Sequence, residues 1–254
     1  MRHKIITGIP TKNASFVMDK VLTILSIFCD KIIILDGKST DNTKEICLSY
    51  DKVRWYEGEY NWLNGEEPIQ RNHLINLIKP HNPDYILWVD SDEIPTYNII
   101  TFFETIDKNI NLWSPFYIQL YKNDNYYRID KFKTSNGSNL NWDPFTGGRK
   151  SSLMKFDFNI NYKYDMTVPV WDFHPAPINA PLPHKNTNDF GIFHYRNLDP
   201  YYINGEKDEM YAKRDKNIGR GTYEERLLHH KLCRIEGNPV LKEVPEEWKW
   251  NILK

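Results

Sequence analysis

The chain has 254 residues, with 33 Lys and Arg against 34 Asp and Glu and a formal net charge of −1. That length suits one large domain or a core with a smaller lobe, and the charge balance excludes a broad nucleic-acid footprint. No run approaches the roughly 18 apolar residues of a membrane span, and Met1 to Pro10 lacks a signal peptide's apolar core, so a cytoplasmic protein is expected, with peripheral membrane contact left open.

Strand and helix signals alternate through the first 90 or so residues. KIITGI (Lys4 to Ile9) is a short strand stopped by Pro10, and Phe16, Val17, Val21, Leu25 and Phe28 follow at helical spacing. KIIIL (Lys31 to Leu35) is the clearest buried strand. It ends at Asp36-Gly37, after which Ser39 to Asp41 offer caps for a helix carrying Ile46, Cys47 and Tyr50. VRWYE is a third strand, Pro68 suits the first residue of a helix with Ile69, Leu74, Leu77 and Ile78 inward, and YILWV is a fourth strand. Strands alternating with helices predict a mostly parallel sheet that binds ligands at the carboxyl ends of its strands.

Beyond Thr96 the pattern changes to a helix over TYNIITFFETIDK and to aromatic strands LWSPFYIQLY, RKSSLMKF and GIFHY, a mixed or antiparallel extension. The many rings could fill a core or stack on sugar faces. Pro169 to Pro183, with five prolines, reads as an ordered loop or lid. Two charged helices, Tyr201 to Lys216 and Tyr223 to Ile235, read as solvated faces, and His229 and His230 as surface residues. The expected division is 1–96, a nucleotide-sugar-binding half, 97–198, an acceptor-side half of the same domain, and 199–254, a helical segment. Cys29, Cys47 and Cys233 form no CxxC and read as reduced, buried thiols.

WVDSDEIPT, Trp88 to Thr96, crowds three carboxylates behind an apolar strand, with Pro95 expected to break pairing close by. Acids at that rim suit Mg²⁺ or Mn²⁺, which take oxygen ligands and leave positions for substrate phosphates; the bland alternative is a capped turn. Asp36 holds the matching place on the second strand, as a ribose or base acceptor or as a charge on the helix dipole. No GxGxxG or GK[ST] occurs, so a metal must carry phosphates. Arg71 and Asn72, expected in the first turn of the third helix, could add to an anion site. Arg149 could reach a phosphate or simply start a strand.

LDGKSTDNT (Leu35 to Thr43) resembles the VDDGSTDNT signature of family 2 glycosyltransferases, and QRN followed by YILWVDSDE resembles that family's QRN and WILxLDADE pair, closest to the branch containing lipopolysaccharide-core glucosyltransferases. The resemblance implies an α/β fold of the GT-A type and an inverting transfer from a nucleotide sugar, by default a uridine diphosphate sugar, to a glycan or glycoconjugate hydroxyl. GIFHYRNLDPYYINGEKDEMY resembles the branch's His-Tyr strand and following helix, which implies His194 as a metal ligand beside Asp92 and Lys207 as a phosphate contact. Pro10, Thr11, Asn13 and Asp36 would hold the nucleoside, with Asp90 on ribose or a metal-bound water and Ser91 on the donor. The branch shows Val-His-Glu where this chain has VWDFH, so Asp172 takes the general base role, with Asp143 second. A sugar-phosphate nucleotidyltransferase and a noncatalytic nucleotide- or sugar-binding module are the rival readings.

Overall fold

The computed structural model describes residues 3–60, 62–64, 66–156, 162–163, 176–177, 183–235 and 238–251. The four expected strands form as β1 (Ile5–Thr11), β2 (Lys31–Asp36), β3 (Val53–Glu57) and β4 (Tyr85–Trp88). Between them lie α1 (Met18–Phe28), α2 (Thr43–Leu48) and α3 (Glu67–Ile78). The strands pair in parallel in the order β3-β2-β1-β4.

Neighbouring residues of a strand face opposite ways. Ile32 and Ile34 therefore join Val21, Leu22 and Leu25 of α1 in one core layer, while Ile33 and Leu35 join Leu74, Ile75 and Ile78 of α3 in the other. Burial on both faces is why KIIIL has no polar alternation. Gly8 marks the closest approach of α3, since a Cβ there would stand 2.9 Å from Ile78 Cδ1 and 3.0 Å from the Trp88 ring.

The second half supplies β5 (Glu93–Pro95), α4 (Ile99–Thr105), β6 (Leu112–Tyr121), β7 (Asn123–Arg128), β8 (Lys131–Lys133), β9 (Asn139–Asn141), β10 (Leu153–Lys155), β11 (Tyr162–Lys163), β12 (Ala176–Pro177) and β13 (His184–His194). β10 runs antiparallel to both β4 and β6, so β6 points the same way as β4, and β13 is parallel to β6. The mixed extension thus continues one sheet. The pairs β8-β9 and β11-β12 stand apart from it.

Pro95 corrects an expectation. Glu93–Pro95 pairs antiparallel with β13, placing Glu93 opposite His194 and Pro95 opposite Ile192. Proline is tolerated because this short strand pairs on that one side, and its carbonyl accepts the Trp250 indole N–H at 2.7 Å. The aromatic residues mostly fill the core: Trp88, Trp113, Phe116 and Phe190 are fully buried, and Trp248 and Trp250 return from the C-terminal segment to pack on Phe116 and Phe28.

The C-terminal segment forms α5 (Pro200–Ile203), α6 (Glu206–Asn217), α7 (Tyr223–Ile235) and β14 (Leu241–Glu243), the last paired with β7. The single helix expected from Tyr201 to Lys216 is broken because Gly205 takes φ +88°, a left-handed turn that ends α5. Nor are α6 and α7 simply solvated. Buried Asp208 pairs with Arg234, and buried Asp215 with Arg214, Arg226 and His230. His229, expected at the surface, is buried between Ser138 and Cys233, four residues on along the same helix face. Burial pushes its pKa down to about 4. All three cysteines are free, with Cys29 and Cys47 buried and Cys233 half-buried.

Candidate active site

The sheet's carboxyl edge gathers the acids. Asp36 ends β2 opposite Thr11 of β1 and is 2% exposed. Its Oδ2 accepts the Ser39 N–H at 2.8 Å and its Oδ1 the Ser39 hydroxyl at 2.5 Å. Ser39 Oγ in turn accepts the Asn13 N–H, and Asn13 Oδ1 accepts the Thr40 N–H, each at 2.8 Å. Asn13 takes φ +51°, a left-handed conformation that Asn tolerates better than most residues. Asp41 carries the capping role expected of this stretch, accepting the N–H and hydroxyl of Thr43. Next to Asp36, the Thr11 hydroxyl is buried with no hydrogen-bond partner among the described residues.

β4 ends at Trp88 and the chain turns through Asp90, Ser91 and Asp92 before β5. Asp90 is held by two cations: Arg71 at 3.0 Å on Oδ1 and Lys150 at 2.7 Å on Oδ2. Arg71 also pairs with Glu67 at 2.9 Å and lies over the Trp88 ring. Because α3 starts at Glu67, Arg71 falls in its second turn rather than its first, with Asn72 after it. Lys150 further binds Glu93 at 2.5 Å, and Glu93 accepts the Tyr117 hydroxyl and the Asp90 N–H. Burial raises the Glu93 carboxyl against the pull of Lys150, and burial with the Glu93 charge raises Tyr117 well above its usual value.

Asp92 points to a different neighbourhood. Its Oδ2 lies 3.3 Å from His194 Nε2, and its carbonyl accepts the Tyr195 N–H at 2.9 Å, tying the acidic turn to the end of β13. The other imidazole nitrogen, Nδ1, is 3.0 Å from Gln119 Oε1, which accepts its N–H; held this way, Nε2 donates to Asp92 when the ring is protonated and offers a lone pair when it is neutral. Burial alone would raise Asp92, but His194, by charge and hydrogen bond, and then Lys207 bring it down to about 2. Lys207 itself is paired with Asp199, whose side chain also caps α5 through the Tyr201 N–H.

Two ligand atoms on adjacent corners of an octahedron with bonds of about 2.1 Å stand about 3 Å apart. The 3.3 Å between Asp92 Oδ2 and His194 Nε2 is close to that spacing. Among the described residues no cluster of three or more His, Cys, Asp or Glu side chains is arranged for a metal.

Asp143 lies in the turn after β9, accepting the Phe145 N–H at 3.0 Å and facing Lys131 at 3.4 Å. Asp172 lies outside the described residues, as does the proline-rich stretch except for Ala176–Pro177 and Pro183. Arg149 donates to the carbonyls of Ser114 and Thr187, which ties β6 to β13 and makes it structural. The residues that sequence reasoning missed are Lys150, Tyr117 and Gln119. Each reaches the cluster through strand pairing across long sequence separations, which no local pattern signals.

A mostly parallel sheet with α/β crossovers, extended by an antiparallel insertion, and an acidic turn after its fourth strand together make the GT-A fold. The model of glycosyl transferase family 2 matches residues 8–163, more than half of the chain, and the chain belongs to that family. No curated protein matches the sequence. Similar solved structures include glucosyl-3-phosphoglycerate synthase from Mycobacterium tuberculosis with Mn²⁺, uridine diphosphate and glucosyl-3-phosphoglycerate, at 20% identity over 45% of this chain and 44% of that one, TM-score 0.34. Mannosyl-3-phosphoglycerate synthase from Rubrobacter xylanophilus is another, at 13% identity over 45% and 40% of the two chains, TM-score 0.34. The matches therefore span less than half the length of either synthase. Among the described residues no helix is long and apolar enough to cross a membrane.

Proposed function

We propose that this chain is an inverting, metal-dependent glycosyltransferase that moves a sugar from a nucleoside diphosphate donor, uridine diphosphate sugars first, to a hydroxyl of a glycan or glycoconjugate. The observation that carries the reading is the Asp92–His194 pair in a chain of glycosyl transferase family 2. The two residues lie 102 positions apart in sequence and converge beyond the strand end where such a sheet takes its ligand. A carboxylate oxygen with an imidazole nitrogen suits Mn²⁺ somewhat better than Mg²⁺, and two protein ligands leave room for diphosphate oxygens. Bound there, the cation would neutralise charge on the departing nucleoside diphosphate.

This chain's own residues do the rest. Gln119 orients His194, while Arg71 and Lys150 hold Asp90 facing the rim for a ribose contact. That reassigns Arg71 from phosphate ligand to positioning residue, because its guanidinium is 2% exposed and bonded to two carboxylates. Pro10, Thr11, Asn13 and Asp36 line the nucleoside end, where the unpartnered Thr11 hydroxyl offers a hydrogen bond. Ser91, Asn72 and Lys207 serve the diphosphate. Asp172 takes the acceptor proton by resemblance, with Asp143 second. The lipopolysaccharide-core branch rests on the LDGKSTDNT, QRN and YILWVDSDE motifs, with the His-Tyr segment at His194 a looser match, and the inverting outcome rests on the family resemblance.

The test is nucleoside diphosphate release from a panel of nucleotide sugars and glycan acceptors with Mn²⁺ or Mg²⁺. Asp92→Ala should lose about a hundred- to a thousandfold in turnover, the scale of removing a group that stabilises transition-state charge. Equal turnover in both proteins, or wild-type release of pyrophosphate in place of nucleoside diphosphate, sinks the reading.

A further inference from the structure

Arg196 follows the metal-pair histidine by two residues, in the short turn that joins β13 to α5. Its guanidinium lies against two tyrosine rings, 4.3 Å from the Tyr202 centroid and 4.9 Å from that of Tyr211. Ring contacts of this kind use the face of a guanidinium, while every N–H donor points outward in its plane. Its Nε is buried without a hydrogen-bond partner. Among the described arginines it is the one whose side chain makes no hydrogen bond or ion pair.

The neighbourhood makes that exception informative. The three buried acids of the helical segment are already paired: Asp199 with Lys207, Asp208 with Arg234, and Asp215 with Arg214, Arg226 and His230. A half-buried guanidinium facing no oxyanion is costly, whereas contact with two rings holds it in place at little further entropy loss when an anion arrives. Arg196 stands two residues beyond His194, and Asp199, the partner of Lys207, three further on, so both cations come from the segment that leaves the end of β13.

We propose that the Arg196 edge, held against Tyr202 and Tyr211, is a preformed oxyanion subsite that binds a phosphate- or carboxylate-type group of a substrate next to the Asp92–His194 pair. The group belongs either to the donor's diphosphate or to an acidic acceptor. This deepens the glycosyltransferase reading and rests on it for the identity of the substrates. The subsite itself stands on the stacking geometry and the missing partner.

The experiment titrates full-length wild type, Arg196→Gln and Arg196→Lys with uridine diphosphate plus Mn²⁺, with uridine, and separately with inorganic phosphate. Calorimetry and thermal shift are the readouts. If the donor supplies the anion, Arg196→Gln weakens uridine diphosphate by about ten- to a hundredfold and leaves uridine unchanged. Arg196→Lys falls between, because it keeps the charge and loses the planar fork. If the acceptor supplies it, uridine diphosphate binding is unaltered and the phosphate-induced rise in melting temperature disappears in Arg196→Gln. Folded variants whose affinities for all three ligands equal those of wild type overturn the proposal. Should wild type ignore uridine diphosphate with either metal, the donor reading fails, and the phosphate arm alone then decides the subsite. If Arg196→Gln does not fold, Tyr211→Ala, which removes one stacking face, gives the same comparison.

Discussion

Asp36 and Asp92 occupy the same edge of the sheet and are built in opposite ways. Asp36 has both oxygens bonded to Ser39, three residues on, so its surroundings are a product of one loop. Asp92 is met by His194, a residue delivered by β13 from the far half of the chain. Between them in the acidic turn, Asp90 and Glu93 are fully engaged by Arg71, Lys150 and Tyr117. Where carboxylates already have cations the arrangement holds the turn in place, whereas Asp92 meets an imidazole, with the Lys207 charge acting on it as well, and the proposed cation site rests on that difference.

The most severe way to break that division is to remove the scaffold's cation. Lys150→Met leaves Glu93 with no positive partner and Asp90 with one, in a buried setting, and should cost about 3–5 kcal/mol of unfolding free energy in a denaturant titration. Lys44→Met, which breaks the solvent-exposed pair with Glu57, should leave the midpoint almost unmoved. A Lys150→Met protein as stable as wild type would mean that the network is ornamental and that the Asp90 position is set by the backbone alone.

A smaller effect probes the other half of the comparison. Asp92 titrates at about 2 in the folded protein against about 3.9 when unfolded, so the folded state stays ionised where the unfolded chain has taken up a proton. The stability from that difference is complete above pH 4 or so and is lost as pH falls toward 2, about 2 kcal/mol in all. Asp92→Asn removes it. The gap in unfolding free energy between wild type and Asp92→Asn should therefore shrink by that amount from pH 5 to pH 2. The raised Glu93 carboxyl acts in the opposite sense but is present in both proteins. A gap that stays constant with pH says that His194 does not hold Asp92.

The same contrast explains what the sequence made legible. VRWYE and LWSPFYIQLY match their strands residue for residue, because burial and β-branched or aromatic content act locally. The acidic turn was visible for the same reason. His194 was reached only through resemblance, and Lys150, Tyr117 and Gln119 not at all, since β6 and β10 bring them in by pairings that no spacing encodes. The helix break at Gly205 was readable in principle, as Asn204-Gly205 after a short apolar run is a stop signal. The buried ion pairs of α6 and α7 were not, because a charged residue reads as solvated until its partner's helix is packed against it.

The finest test concerns whether the Asp36 loop is closed by its own residues or waits for a nucleoside to order it. Ser39 Oγ donates to Asp36 and accepts from the Asn13 N–H, so it is the link between the β2 and β1 loops. Ser39→Ala deletes both bonds and leaves Asp36 one of its two, which should cost about 1 kcal/mol in the free protein. If the loop is self-sufficient, the loss persists at the same size when a saturating nucleotide is present. If instead a bound nucleoside donates to Asp36 and replaces Ser39, the difference in melting temperature between the two proteins should narrow as ligand is added, since binding restores the missing donor only in the variant. A widening difference would place Ser39 itself against the ligand, and the rim at β2 would then depend on an outside partner as is proposed for the rim at Asp92.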